Sequence, residues 1–146
     1  MKALIVFDSA YGNTEKIARA IGAAITGEAK VLRAGEADVA ELNLYDLLII
    51  GSPTQGGKPM PTVVDLLNKI PESEIKSKNV AVFDTRVPTK IVKLFGFAGD
   101  KIAKNLKEKG ANVIVPVEGF LVAGTKGPLK EGELEHVTNW VKTLIK

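Results

Sequence analysis

Cysteine is absent from the sequence and histidine occurs once, at His136. Without thiols there is no disulfide, no thiolate metal site and no cysteine nucleophile. A single imidazole does not make a zinc centre. Long apolar runs are missing as well. The longest, "ALIVF" and "LLII", fall far short of the roughly 20 residues a membrane-spanning helix needs. The run that follows Met1-Lys2 is also too brief for the core of a signal peptide, so the expectation is a cytoplasmic protein with no membrane partner. Aromatics are scarce at 5%, which leaves few rings for stacking on bases or planar cofactors.

What is present is ordinary globular composition, 45% hydrophobic and 25% charged over 146 residues. That length suits one domain, 1–146, with its own core. The formal charge of +3 is unevenly placed. From Arg86 to Lys109 seven basic residues stand against two acidic ones, Asp100 and Glu108. Such a stretch can attract an acidic protein partner. It lacks the interleaved aromatics of a nucleic-acid surface, and no nucleic acid is expected.

Apolar runs alternate with helical periods from end to end. "KALIVF" (2–7), "AKVLR" (29–33), "DLLIIG" (46–51), "NVAVFD" (79–84) and "ANVIVPVEGFLV" (111–122) read as strands. The near-continuous apolarity of the first, third and fourth is that of strands buried on both faces of a parallel sheet. Pro116 is expected to split or bulge the fifth. Ile17, Ile21 and Ile25 mark one face of a helix over 13–26. Pro61 opens a helix over 61–70, where its missing N–H costs nothing. A third helix near 99–109 closes on Gly110. Leu134, Val137, Val141 and Leu144 form the apolar face of the last, with Trp140 in packing and His136 on the solvated side. This alternation defines an α/β domain with a parallel sheet and right-handed crossovers.

In an open sheet of this kind ligands bind beyond the carboxyl ends of the strands. Three polar loops stand there: Ser9 to Thr14 ("SAYGNT"), Gly51 to Gly57 ("GSPTQGG") and Asp84 to Arg86. In the first, Ser9, Asn13 and Thr14 offer donors, Gly12 allows close backbone approach, and the following helix presents free N–H groups. It contains no Lys or Arg, so neutral donors would carry an anion. It is neither a nucleotide P-loop nor a dinucleotide fingerprint. Alone, it fits a capped turn and an anion site equally. Asp8 and Asp84 end strands as in receiver domains, but Gly51 stands where those domains need a further aspartate.

Taken together, "SAYGNT", "GSPTQGG" and "FDTR" in this strand context resemble the flavodoxin family over essentially the whole chain. The resemblance implies a three-layer α/β sandwich. Its five-stranded parallel sheet would run in the order 2-1-3-4-5, with helices on both faces. It also implies FMN as cofactor. Ser9, Ala10, Tyr11, Gly12, Asn13 and Thr14 would surround the phosphate. Pro53, Thr54, Gln55 and Gly56 would line one side of the flavin, and Asp84, Thr85 and Arg86 the other. No side chain is required as a general base, because the flavin carries the chemistry.

The chain departs from the family pattern in three ways. Tyr11 replaces a hydroxyl amino acid and is similar to flavodoxin-like quinone oxidoreductases. The second loop has no aromatic stacker, and Phe95 and Phe97 read as core. The region of the third loop is basic where flavodoxins are acidic, and positive charge there should ease formation of the anionic reduced flavin. The resulting expectation is an FMN-binding electron carrier rather than a stand-alone enzyme. It would serve redox protein partners, acidic ones docking on the basic 86–109 region. Two alternatives stand beside it: an NAD(P)H:quinone oxidoreductase of the same fold, and a partner-binding module without tight flavin binding.

Overall fold

Each apolar run becomes a strand of one sheet in the computed structural model, which describes residues 1–88 and 96–145. In chain order these are β1 (Lys2–Phe7), β2 (Glu28–Arg33), β3 (Leu47–Pro53), β4 (Asn79–Arg86), β5 (Asn112–Val113) and β6 (Glu118–Leu121). The sheet order is β2-β1-β3-β4-β5, with β6 also against β4, and every pairing is parallel. β5 and β6 therefore occupy one fifth position in two pieces. β5 matches the start of β4 (Asn79↔Asn112) and β6 its end (Phe83↔Glu118). Pro116, with no N–H to give the ladder, lies in the gap between them.

β3 and β4 run two residues further than the apolar pattern suggests. Their register continues through Ser52↔Asp84 and Pro53↔Thr85, and β6 secures the end of β4 at Arg86↔Leu121. Polar residues thus stay in extended pairing because neighbours on both sides take their backbone groups. Asp84, Thr85 and Arg86 therefore belong to the strand and not to a loop beyond it.

The helices are α1 (Asn13–Ala24), α2 (Pro61–Lys69), the single turn α3 (Glu72–Ile75), α4 (Ala98–Glu108) and α5 (Glu133–Leu144). Two 3-10 segments, Ala34–Glu36 and Val39–Leu44, fill the connection after β2. Alternating side chains divide the interior into two cores. Leu4, Val6, Leu48, Ile50, Val80 and Val82 pack with α2 and α4. Ile5, Phe7, Ile49 and Phe83 pack with α1 and α5. In the second core Phe83, Phe120 and Trp140 meet edge to face, with ring centres 5.8–6.2 Å apart.

Two expectations on α5 are corrected. Leu134 is exposed, whereas Val137, Val141 and Leu144 are buried; it falls in the first turn, ahead of the part of the helix that meets the sheet. His136 is half-buried and not simply solvated. Its ring centre lies 4.5 Å from that of Phe120, with Nδ1 3.2 Å from Glu133. Phe97 is also not a core residue. It is half-buried, and its ring carries the Arg86 guanidinium at 3.5 Å. Phe95 lies outside the described residues.

Candidate functional site

All strands point the same way, so their carboxyl ends share one edge, and a cleft of about 370 Å³ opens there. It falls in the size range of small-molecule sites. Ser9, Ala10, Tyr11, Asn13 and Thr14 line it from the first loop, Pro53, Thr54, Gln55 and Gly56 from the second, and Thr85, Arg86 and Val87 from the end of β4. Three segments far apart in sequence thus close on one space because β1, β3 and β4 are adjacent.

The first loop is built around its own backbone. The Gly12 N–H donates to the Ser9 hydroxyl at 3.0 Å, and Ser9 N–H donates to Asp8 at 2.8 Å. Gly12 caps α1 with φ +92°, a conformation that side chains resist. At the start of α1 the N–H groups of Asn13, Thr14 and Glu15 have no intrahelical carbonyl. Asn13 is 8% exposed and lines the cleft. Among the described residues its side-chain amide has no hydrogen-bond partner. Thr14 is fully buried, and its hydroxyl lies 2.8 Å from that of Thr85.

The second loop is a tight reverse turn. Gln55 and Lys58 exchange both backbone hydrogen bonds, at 2.8 and 3.0 Å. Gly56 and Gly57 between them have φ +58° and +78°. A two-residue turn of this hand needs positive φ at both central positions, and glycine supplies it. Thr54 ties the turn to its neighbours: its N–H donates to the Thr85 carbonyl at 2.9 Å, and its hydroxyl accepts from Ala98 N–H at 3.1 Å.

Arg86 reaches the cleft, but Asp84 does not. The Asp84 carboxylate is fully buried and accepts from Arg86 Nε and Nη2 at 2.7 and 2.8 Å, and from Gly99 N–H at 2.9 Å. Burial raises its pKa, while the Arg86 contacts and the Gly99 N–H pull the other way. The positive charge expected beside the ring is therefore neutralised from behind. Gly12 is likewise absent from the lining and serves as helix cap.

Val87, Val122 and Thr125 also line the cleft and escaped sequence reasoning. The last two follow β6. Because β6 pairs with β4, the segment after Leu121 opens at the same edge, so its small residues ("AGTKG") were a usable signal once that adjacency was known. The lining therefore combines the Asn13 amide, hydroxyls and free helix N–H groups with apolar walls from Pro53, Val87, Val122 and Tyr11. That donor set suits a group with a phosphate at one end and a flat ring system at the other.

A parallel five-position sheet in the order β2-β1-β3-β4-β5, with a cleft at its carboxyl edge, defines a doubly wound α/β protein. The family model for flavodoxin matches residues 5–140, and the chain belongs to the flavodoxin family. Among solved structures it is similar to oxidised flavodoxin 2 from Bacillus cereus (26% identity, TM-score 0.80, 98% of this chain and 97% of that one). It is also similar to a flavodoxin from the domain Archaea (24% identity, TM-score 0.78, 97% and 99%). Oxidised flavodoxin 1 from Bacillus cereus gives 21% identity and a TM-score of 0.81 over 99% and 97%. The protein is an FMN-binding electron-transfer protein that passes electrons to redox partners. Among the described residues no helix is long and apolar enough to cross a membrane.

Proposed function

We propose that the cleft at the carboxyl edge is the FMN site of this carrier. The observation that carries this is Asn13, which stands at a helix start, lines the cleft and makes no side-chain hydrogen bond among the described residues. Its amide is not sealed from solvent, so a bound phosphate can take the hydrogen bond there in place of water. Ser9, Asn13 and Thr14, with the free N–H groups of α1, take the phosphate. Pro53, Thr54, Gln55 and Gly56 hold one side of the ring system, and Thr85, Arg86 and Val87 the other. Bound FMN supplies the electron-accepting and electron-donating chemistry. The rigid loops hold it near the surface and limit reorganisation around it. Asp84 tempers the charge of Arg86 there and so works against easy formation of a reduced anion.

For the partner, the basic 86–109 stretch resolves into groups with different roles. Arg86 is paired with Asp84, and Lys109 donates to the carbonyls of Leu67 and Ile70. Lys104 and Lys107 are exposed on α4, and Lys101 reaches back to the Gly57 carbonyl of the second loop. Lys90 and Lys93 lie outside the described residues. A row of lysines along α4 that starts at the second loop favours a soluble acidic redox protein as partner, in the cytoplasm. Reduction rates of such a partner should fall as ionic strength rises, and indifference to salt would remove this part of the reading.

Titration of the apo chain with FMN, followed by the absorption spectrum, tests the site. Tight one-to-one binding that Asn13→Ala weakens is expected, and a colourless chain that takes up no FMN would overturn the reading. Steady oxidation of NADPH with a quinone would mark a reductase instead of a carrier.

A further inference from the structure

The first loop has no cation of its own, and the charges behind it largely cancel. Asp8 and Glu15 both pair with Arg33, at 3.0 and 2.8 Å, and Glu15 also meets Arg19 at 2.8 Å. A phosphate dianion entering here would meet two carboxylates offset by two arginines. The segment after β6 brings a further charge to the same place. Val122 and Leu129 pair across it, Ala123 N–H donates to Pro128, and Gly127 N–H donates to Gly124 at 2.9 Å. The last bond closes a turn whose two central residues are Thr125 and Lys126. The turn is pressed onto the first loop: a Cβ at Gly127 would stand 2.7 Å from both Oδ1 and Nδ2 of Asn13.

Thr125 lines the cleft, and Lys126 Nζ lies 5.9 Å from the centre of the Tyr11 ring. Among the described residues Lys126 has no carboxylate partner. Lys126 is not itself in the lining, but it stands between Thr125, which is, and Gly127, which presses on Asn13. Its long stem can therefore bring the ammonium to the start of α1, where without an anion it would face the positive end of the helix dipole. An anion between them reverses the sign for both. Resting on the reading of this cleft as the FMN site, we propose that Lys126 is a phosphate-recognition residue. It would supply from the β6–α5 turn the cation that the first loop lacks, with Tyr11 as the surface that positions it. The group it discriminates is a phosphate monoester dianion against the neutral hydroxyl of the unphosphorylated flavin.

The test compares FMN with riboflavin in fluorescence titrations of the apo chain at low and high ionic strength. Lys126→Gln should weaken FMN roughly three- to tenfold at low ionic strength and leave riboflavin unchanged, and the loss should shrink in high salt. Lys126→Arg should keep the affinity. Lys142→Gln is the charge-matched control. It lies in the last turn of α5, whose end gathers with Met1, Asp46 and Asn79 at the opposite edge of the sheet. Equal loss of both ligands, or FMN binding untouched by Lys126→Gln, would overturn the proposal alone. An unsubstituted chain that binds no FMN would overturn it together with the site reading.

Discussion

The hydroxyls of Thr14 and Thr85 lie 2.8 Å apart across 71 residues of sequence, with Thr14 fully buried and Thr85 3% exposed. This contact stitches the start of α1 to the end of β4 and so joins two walls of the cleft. The pair has two protons and uses one, which leaves a single hydroxyl donor for a ligand. Either Thr→Val substitution strands the other hydroxyl and should cost about 1–3 kcal/mol. The double variant should cost less than the sum of the two, with a coupling of order 1 kcal/mol. Urea unfolding of the four apo proteins measures it, and strict additivity would mean that the two hydroxyls do not interact.

Asp84 makes two linked predictions. Because burial raises its pKa above the ordinary value of 3.8, the folded chain holds this proton more tightly than the unfolded chain. Its contribution to stability is therefore full below that ordinary value and is lost as pH rises through the raised one. Asp84→Asn should flatten this part of the stability–pH curve. The same change leaves Arg86 positive at the cleft wall, so the midpoint potential of bound FMN should rise. A potential that stays the same or falls would show that the Arg86 charge is not felt there.

The order of elements was legible from residues 2–7, 46–51 and 79–84, whose continuous apolarity announces strands buried on both faces. Ends were harder to read. Ser52, Asp84 and Thr85 are polar, yet they lie fully or almost fully buried in strand pairing, because only the neighbouring strands reveal who accepts their backbone bonds. In the site, the first two loops were readable because their place after strands says where they point, whereas Asp84 to Arg86 proved to be the end of β4 itself. The direction of Asp84 was not readable. It turns to Gly99 and Arg86, and that contact depends on how α4 approaches β4. Phe97 reads as core for the same reason: its partner is a guanidinium brought from β4, which apolar patterning cannot show. Lys126 carries no local signal at all. Its position follows from β6 pairing beside β4 and from a turn that ends against Asn13.

Gly51 and Gly56 separate two reasons for glycine. A Cβ at Gly51 would stand 2.0 Å from the Phe83 ring, which Phe120 and Trp140 hold from other sides. Gly51→Ala should cost at least about 3 kcal/mol through overpacking. At Gly56 a Cβ would meet nothing within 4 Å, but φ is +58°. Gly56→Ala should cost only about 1–2 kcal/mol of backbone strain. Thermal unfolding ranks the two, and a Gly56 variant that proved the worse would overturn the packing account.

Lys109 belongs to the basic stretch in sequence but to α2 in space. Its ammonium donates to the Ile70 carbonyl at 2.8 Å and to that of Leu67, which otherwise takes only a long 3.3 Å bond from the Ile70 N–H where α2 ends. Burial lowers its pKa from the ordinary 10.5, the cost of taking a cation partly out of water, which the carbonyl bonds and the negative end of α2 offset. Lys109→Met keeps the apolar stem and removes the donors. It should destabilise by about 1–2 kcal/mol with an unchanged denaturant slope, and it should leave the salt dependence of partner reduction as it was. Lys104→Gln should show the reverse pattern, intact stability with a weaker salt dependence. If Lys109→Met instead kept its stability and lost the salt effect, the ammonium would be a docking charge, and the capping of α2 would have to come from elsewhere.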